Sequence, residues 1–135
     1  MAETFHLSLL TPERSLLDAE VVSITAPGSE GYLGVLAHHA PLITALQPGR
    51  LEIRSPDQRQ TAFAVSGGFL EVSENKVTIL ADAVESPEDI DVERAERSLE
   101  RARERLRDTS GRFDAARAEA SLRRALNRIK IVRST

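Results

Sequence analysis

The chain has 135 residues, 41% of them hydrophobic and 29% charged, so it is long enough to bury a core of its own. It contains no cysteine, which excludes disulfides and thiolate metal sites. Its net charge of −3 divides into −8 for residues 1–89 and +5 for residues 90–135, which predicts two segments with different partners.

Residues 1–87 predict an antiparallel β-sandwich. Short runs of alternating apolar residues recur there, beginning with Phe5, Leu7 and Leu9. Turn formers such as Pro27-Gly28 separate the runs, and all six prolines of the chain lie in this part. Regularly spaced short strands with polar outward positions are typical of sandwiches and barrels.

The longest uncharged stretch, residues 31–49, approaches the length of a membrane span. Pro41, Pro48 and the His38–His39 pair argue against a lipid-facing helix. We expect two short buried strands joined by a turn instead, and membrane association only through a partner.

Residues 88–135 predict an antiparallel hairpin of two helices, which makes the whole chain α+β. Good helix formers dominate this part. Asp89 or Asp91 can cap the first helix, and 108–111 supply a turn that ends in Gly111. The two apolar rows of helical spacing are Ala95, Leu99, Ala102 and Leu106, then Ala115, Ala118, Leu122, Ala125 and Ile129.

The apolar rows of the hairpin are narrow and consist mostly of alanine. Burying alanine stabilises less than burying leucine, because the gain scales with the apolar area removed from water. We therefore expect a weakly held hairpin that is able to leave its resting position.

Arginines form a row beside each apolar row. Antiparallel pairing reverses the sense of one helical wheel, so both rows are predicted to lie on the same side of the hairpin. Such a side suits phosphates or clustered carboxylates, although a solvated charged face is an open alternative. Nucleic acid is disfavoured, since the acidic sandwich would repel a duplex. The rows are Arg94, Arg97, Arg101 and Arg105, then Arg117, Arg124 and Arg128.

Catalytic and metal-binding constellations are not recognisable in the sequence. The three histidines lack the spacing of a metal-binding helix, and no Walker pattern or Ser-His-Asp set occurs. Gly67 and Gly68 are expected to serve a backbone bulge or a close approach, and not a phosphate loop. The chain is therefore predicted to be noncatalytic and to need no metal.

Three sequence blocks occur in order along the chain: GYLGVLAHHAPL at 31–42, SGGFLEV at 66–72 and VTILAD at 77–82. With the order of a sandwich followed by alanine-rich helices, they resemble the epsilon subunits of bacterial F-type, proton-translocating ATP synthases. One departure is Ala37, where many members of that family have proline.

The resemblance implies a noncatalytic rotor subunit of the central stalk, at the cytoplasmic face of the bacterial plasma membrane. Its sandwich would bind the gamma subunit and sit on the c-ring through a loop of Ser29, Glu30, Gly31 and Tyr32, unless that loop is a plain glycine turn. An extended hairpin would reach the alpha and beta subunits and inhibit ATP hydrolysis. His39 is expected to make a structural hydrogen bond.

The run Ile90-Asp91-Val92-Glu93-Arg94-Ala95 matches the motif Ile/Leu-Asp-X-X-Arg-Ala, through which some bacterial members of that family bind ATP. The resemblance implies ATP as a regulatory ligand, and no cofactor is required. Two alternatives stay open: the arginines contact only carboxylates while Asp91 caps its helix, or the chain is a free-standing ATP-binding sensor. The implied ATP contacts are Glu85, Ile90, Asp91, Arg94 and Ala95 at the adenosine end, and Arg101, Arg124 and Arg128 on the phosphates.

Overall fold

A computed structural model of the chain describes residues 3–133. These residues divide into two compact units, 3–85 and 86–133. The first unit is built of strands and the second of helices, so the predicted α+β class, a β-sandwich followed by a two-helix hairpin, is confirmed. Among the described residues, no helix is long and apolar enough to cross a membrane.

The first unit is a sandwich whose strands follow the order β2-β1-β7-β6-β5-β3-β4, with the short β8 paired to β6. Neighbouring strands are antiparallel except β1 and β7, which run parallel. No tight turn joins these two strands, so nothing forces them to run in opposite directions. The strands are β1 Phe5–Leu10, β2 Ser15–Val21, β3 Ser23–Gly28, β4 Gly31–Leu36, β5 Leu42–Arg54, β6 Gln60–Ser73, β7 Lys76–Ala81 and β8 Val84–Glu85.

The sandwich core follows the predicted alternation of apolar side chains. Phe5, Leu7 and Leu9 are at most 1% exposed, and their neighbours in β1 are half-buried. The stretch 31–49 forms β4 and part of β5 as expected, but only Val35, Leu46 and Gly49 in it are buried. The expectation of buried strands was wrong there, because these strands turn only alternate residues, such as Val35 and Leu46, toward the core.

Gly67 and Gly68 lie in β6 with φ angles of +121° and +130°. A Cβ atom on Gly68 would collide with the Leu80 carbonyl oxygen and would lie 2.8 Å from the Ala81 Cα atom. The predicted close approach is therefore confirmed, and the neighbouring backbone is that of β7.

The second unit is a helical hairpin preceded by one turn of 3-10 helix at Pro87–Asp89. Its helices are α1, Val92–Arg107, and α2, Ala115–Arg133, joined by a segment in which Gly111 has a φ of +84°. The predicted shortage of large buried side chains is confirmed. The buried residues of the two helices are Ala95, Ala102, Ala118, Ala125, Ile129 and Ile131.

Asp91 is the residue that caps α1. Its carboxylate accepts a hydrogen bond from the backbone N–H of Arg94 at 3.1 Å, whereas Asp89 accepts one from the Ser86 hydroxyl at 2.8 Å. We expect Asp91→Ala to lower the stability of the hairpin by about 1 kcal/mol, because a backbone N–H of the first turn loses its acceptor.

Thermal unfolding of the full chain, followed by its helical circular dichroism, would measure this loss. Asp89→Ala is the matched control, since it removes a nearby carboxylate of the same charge that does not cap α1. Equal losses for the two variants would contradict the capping role of Asp91.

Candidate anion-binding groove of the hairpin

A small cleft of about 120 Å³ opens within the helical hairpin, and we call it the inner cleft. Four of its seven lining residues are arginines, and acidic residues do not contribute to its lining. The lining residues are Ser98, Arg101, Ala102, Arg105, Ser121, Arg124 and Arg128.

Helical spacing places the four arginines in this cleft. Arg101 and Arg105 are four residues apart on α1, and Arg124 and Arg128 are four apart on α2, so each pair lies on one face of its helix. The buried Ala102 is small enough for the helices to approach each other. The prediction that the two arginine rows share one side of the hairpin is confirmed for these four residues.

A larger cavity of about 480 Å³ lies beside the turn of the hairpin, and we call it the turn cavity. It shares Arg105, Ser121 and Arg124 with the inner cleft, so the two lie side by side, and together we call them the arginine groove. The residues that line the turn cavity are Arg105, Arg112, Phe113, Asp114, Arg117, Ala118, Ala120, Ser121 and Arg124.

Three arginines of the groove, Arg101, Arg105 and Arg124, contact neutral partners. Arg101 Nη2 donates to Ser98 Oγ at 3.1 Å, and Arg124 Nη2 donates to Ser121 Oγ at the same distance. The Arg105 guanidinium carbon lies 5.4 Å from the centroid of the Phe113 ring. In residues 3–133, none of these three arginines forms a salt bridge, so their charges are available to an anion.

Arg112 of the groove carries a charge that is already partly neutralised. Its Nη2 donates to Asp108 Oδ2 at 3.1 Å. Hydrogen bonds from the Ser110 hydroxyl and backbone N–H, and then from Arg112, lower the pKa of Asp108, so this carboxylate stays charged near neutral pH. Asp108 therefore fixes Arg112 at the edge of the turn cavity.

The structure brings together the residues expected to hold phosphates, because Arg101, Arg124 and Arg128 all line the inner cleft. The residues expected at the adenosine end do not line it. Ile90 is buried after the 3-10 helix, and Ala95 is buried in the first turn of α1. The other three are Glu85 in β8 of the first unit, Asp91 at the α1 cap and the exposed Arg94.

Ser98 and Ser121 belong to the site but did not emerge from the sequence. Each serine lies three residues before an arginine of the inner cleft, in the runs Ser98–Arg101 and Ser121–Arg124. Side chains three residues apart are neighbours on a helix, so this repeated spacing was the available signal.

The expected ring-facing loop is the turn between β3 and β4. Ser29 donates its backbone N–H to the Ala45 carbonyl at 2.9 Å, and Gly31 has a φ of +129°. The Tyr32 hydroxyl accepts a hydrogen bond from the Arg50 backbone N–H at 2.9 Å, while Glu30 is exposed. The loop is a tight, hydrogen-bonded turn that leaves an acidic side chain in solvent.

His39 makes the structural hydrogen bond that was expected of it. Its Nδ1 lies 2.7 Å from the carbonyl oxygen of Ala40, so Nδ1 carries the hydrogen and donates it.

Large apolar side chains cluster on the outer face of the sandwich, which the sequence did not predict. Ile43, Phe69 and Leu80 are 72%, 60% and 48% exposed. Phe69 lies between Ala45 of β5 and Leu80 of β7 in the strand register, so these residues form one outer apolar patch. Phe69 itself turns outward, whereas Leu70 and Val72 turn inward.

Comparison with known proteins gives one consistent answer. Residues 4–87 match the family described as ATP synthase, Delta/Epsilon chain, beta-sandwich domain, and residues 88–133 match its long alpha-helix domain. The ATP synthase epsilon chain of Moorella thermoacetica is 52% identical over 127 residues, which cover 94% of this chain and 95% of that one. That of Desulforamulus reducens is 43% identical over 130 residues, with 96% and 98% covered.

The fold is also similar to a chain in the cryo-EM structure of the Euglena gracilis mitochondrial ATP synthase. The TM-score is 0.78 at 28% sequence identity, with 97% of this chain and 80% of that chain covered. The resemblance that the sequence blocks indicated is confirmed. With both of its units matched in order, the chain belongs to the delta/epsilon chain family of ATP synthases.

Proposed function

We propose that this chain is a noncatalytic rotor subunit that couples the gamma shaft of a proton-translocating ATP synthase to the c-ring and restrains ATP hydrolysis through its hairpin. The complex, and not this chain, makes ATP. The family match over residues 4–133 supports this proposal, as does the similar chain in a Euglena gracilis assembly described as OSCP/F1/c-ring. The chain acts at the cytoplasmic face of the bacterial plasma membrane, peripherally and only as part of the complex.

The outer apolar patch supports a permanent partner for the sandwich. Adjacent exposed side chains as large as Ile43, Phe69 and Leu80 mark an interaction surface in a protein of this size. We assign this surface to the gamma subunit, since an apolar surface suits a contact that stays buried throughout rotation. The turn formed by Ser29, Glu30, Gly31 and Tyr32 is assigned to the c-ring by resemblance to the family.

The hairpin is the part of the chain that regulates ATP hydrolysis. Few large side chains are buried in it, so its packing stabilises the compact form only weakly, and Arg101 and Arg124 of the inner cleft donate to serine hydroxyls. In the compact form, the inner cleft holds the phosphates of ATP. In an extended form, the same guanidinium groups bind acidic segments of the alpha and beta subunits and stop hydrolysis.

ATP and the acidic segments therefore compete for one set of charges. Bound ATP stabilises the compact hairpin by mass action and releases the inhibition, and a fall in ATP favours the extended form. The observation that carries this proposal is the cleft in which Arg101, Arg124 and Arg128 converge without an acidic residue in its lining.

Removal of residues 90–135 is expected to raise ATP hydrolysis by the reconstituted complex several-fold while assembly persists. The sandwich keeps its own core in this variant, because the buried core residues of the first unit all precede residue 90. ATPase activity and gel filtration of the complex measure the two parts of the result. Arg103→Ala in the full chain is the control, since Arg103 lines neither part of the groove.

Unchanged hydrolysis by an assembled complex would leave the hairpin without the inhibitory role. A full chain that binds ATP but never copurifies with gamma would instead support the free-standing sensor.

A further inference from the structure

Most of the turn cavity is not used by the ATP contacts proposed above, which share only Arg124 with it. Its volume of about 480 Å³ lies within the range of roughly 300–1,000 Å³ that small-molecule sites occupy. Of the three arginines assigned to the phosphates of ATP, only Arg124 lines it, and Arg101 and Arg128 do not. It therefore offers binding capacity beyond the inner cleft.

The charge of the turn cavity is strongly positive. Four arginines and one acid, Asp114, line it. The Asp114 carboxylate accepts hydrogen bonds from the backbone N–H groups of Ala116 and Arg117 at 2.9 and 3.3 Å, so it is engaged in capping α2. Within residues 3–133, the Arg117 guanidinium has no hydrogen-bond or salt-bridge partner. An anion in this cavity would meet uncompensated positive charge.

Phe113 contacts two of the arginine side chains that line the turn cavity. The guanidinium carbons of Arg105 and Arg112 lie 5.4 and 5.9 Å from the centroid of its ring. Contact with the ring restrains both side chains without neutralising either, because a cation–π contact does not itself use the N–H donors. The Arg105 guanidinium is thus preorganised for an anion, whereas Arg112 also donates to Asp108 Oδ2 and Ser110 Oγ.

The arginine groove is longer than three linked phosphates. A helical rise of about 1.5 Å per residue places the Cα atoms of Arg117 and Arg128 roughly 16 Å apart along α2. A triphosphate held at Arg124 and Arg128 would leave Arg117 unused. A ligand that uses the whole groove needs negative charge repeated along an extended chain.

We propose that the arginine groove binds linear polyphosphate chains longer than a triphosphate, with one part of the chain in the inner cleft and its continuation in the turn cavity. The inference rests on the proposed function only in assigning phosphates to the inner cleft. Each phosphate group presents anionic oxygens that match the paired N–H donors of a guanidinium group. The chain could be inorganic or could carry a nucleoside at one end.

Calorimetric titration of the full chain with sodium tripolyphosphate and with long-chain inorganic polyphosphate tests the proposal. We expect the long chain to bind more tightly and with a steeper dependence on salt, because it releases more counterions. Arg117→Ala should weaken long-chain binding about tenfold, by analogy with other charge-assisted contacts, and should leave tripolyphosphate binding unchanged. Alanine is a good helix former, so α2 should persist.

Arg103→Ala is the matched control, since it removes the same charge from a position outside the groove. If it weakens long-chain binding as much as Arg117→Ala does, the binding reflects overall charge and the proposal is overturned. Equal affinity for tripolyphosphate and the long chain would also overturn it. A comparison of adenosine tetraphosphate with inorganic tetraphosphate then identifies which end group the groove prefers.

Titration with ATP separates this inference from the proposed function. ATP binding without any effect of chain length would remove the polyphosphate proposal alone. Polyphosphate binding that depends on Arg117, in a chain that does not bind ATP, would support the groove and remove ATP gating alone.

Discussion

Replacing Arg101 and Arg124 together with alanine is expected to lower the affinity of the full chain for ATP by about a hundredfold or more. The two side chains come from different helices and line the same inner cleft. A hydrogen bond to a charged group contributes about 1.5–3 kcal/mol, and about 1.4 kcal/mol corresponds to a tenfold change in affinity. Calorimetric titration of the wild-type chain and of the double variant with ATP measures this change.

The double variant should lose less than the sum of the two single variants. Both arginines contact one phosphate chain, and residues that share a ligand are not energetically independent. Ser98→Ala and Ser121→Ala should have smaller effects, because each serine only orients a guanidinium group through a 3.1 Å hydrogen bond. This order of effects distinguishes direct phosphate contacts from positioning residues.

Arg103→Ala serves as the control for charge, and circular dichroism checks that the helices are retained. Wild-type ATP affinity in the double variant would mean that the phosphates bind elsewhere, and ATP gating by the inner cleft would be wrong. Loss of binding in the Arg103 variant as well would indicate a nonspecific effect of net charge.

The local features of the hairpin could be predicted because each depends on residues close in sequence. A cap at Asp89 or Asp91 and the left-handed Gly111 follow from residue type and position, and the structure selects Asp91 as the cap. The alignment of Arg101 with Arg124 and Arg128 needed only helical periodicity and an antiparallel turn. Periodicity is a strong signal over segments of this length.

The features that escaped prediction depend on residues distant in sequence. The exposure of Phe69 is set by which face of β6 turns outward and by Leu80 of β7 beside it. In a sequence, an apolar residue at an exposed position cannot be told from a core residue. Alternation alone therefore does not show that its side chain is exposed. The turn cavity likewise depends on how Phe113, in an irregular segment, contacts Arg105 and Arg112.

The residues expected at the adenosine end of the proposed ATP site show the same limit of prediction from sequence. The motif fixes the identities of Ile90, Asp91 and Arg94, but the structure gives each of them a position that helix formation alone explains. Ile90 ends the 3-10 helix, Asp91 caps α1, and Arg94 donates its backbone N–H to that cap. Residue type and spacing cannot separate a capping aspartate from a ligand-binding one.

Gly68→Ala is expected to destabilise the sandwich by roughly 3 kcal/mol or more, through a collision as well as backbone strain. The new methyl group would meet the Leu80 carbonyl oxygen and the Ala81 Cα atom, which are backbone atoms and cannot rotate away. Strands β6 and β7 would have to separate where Gly68 is paired with Ala81. The outer apolar patch would be distorted with them, because Phe69 and Leu80 are the next pair along these strands.

Gly31→Ala is a closely matched control. Gly31 has a φ of +129° against +130° for Gly68, but a Cβ atom there would have no neighbour within 4 Å. The Gly31→Ala variant therefore has the backbone strain without the collision. Its free energy of unfolding should fall by about 1–2 kcal/mol. Urea unfolding followed by NMR signals of sandwich methyl groups measures both variants without interference from the hairpin. Equal losses would mean that strain alone, and not the closeness of β7, requires glycine at position 68.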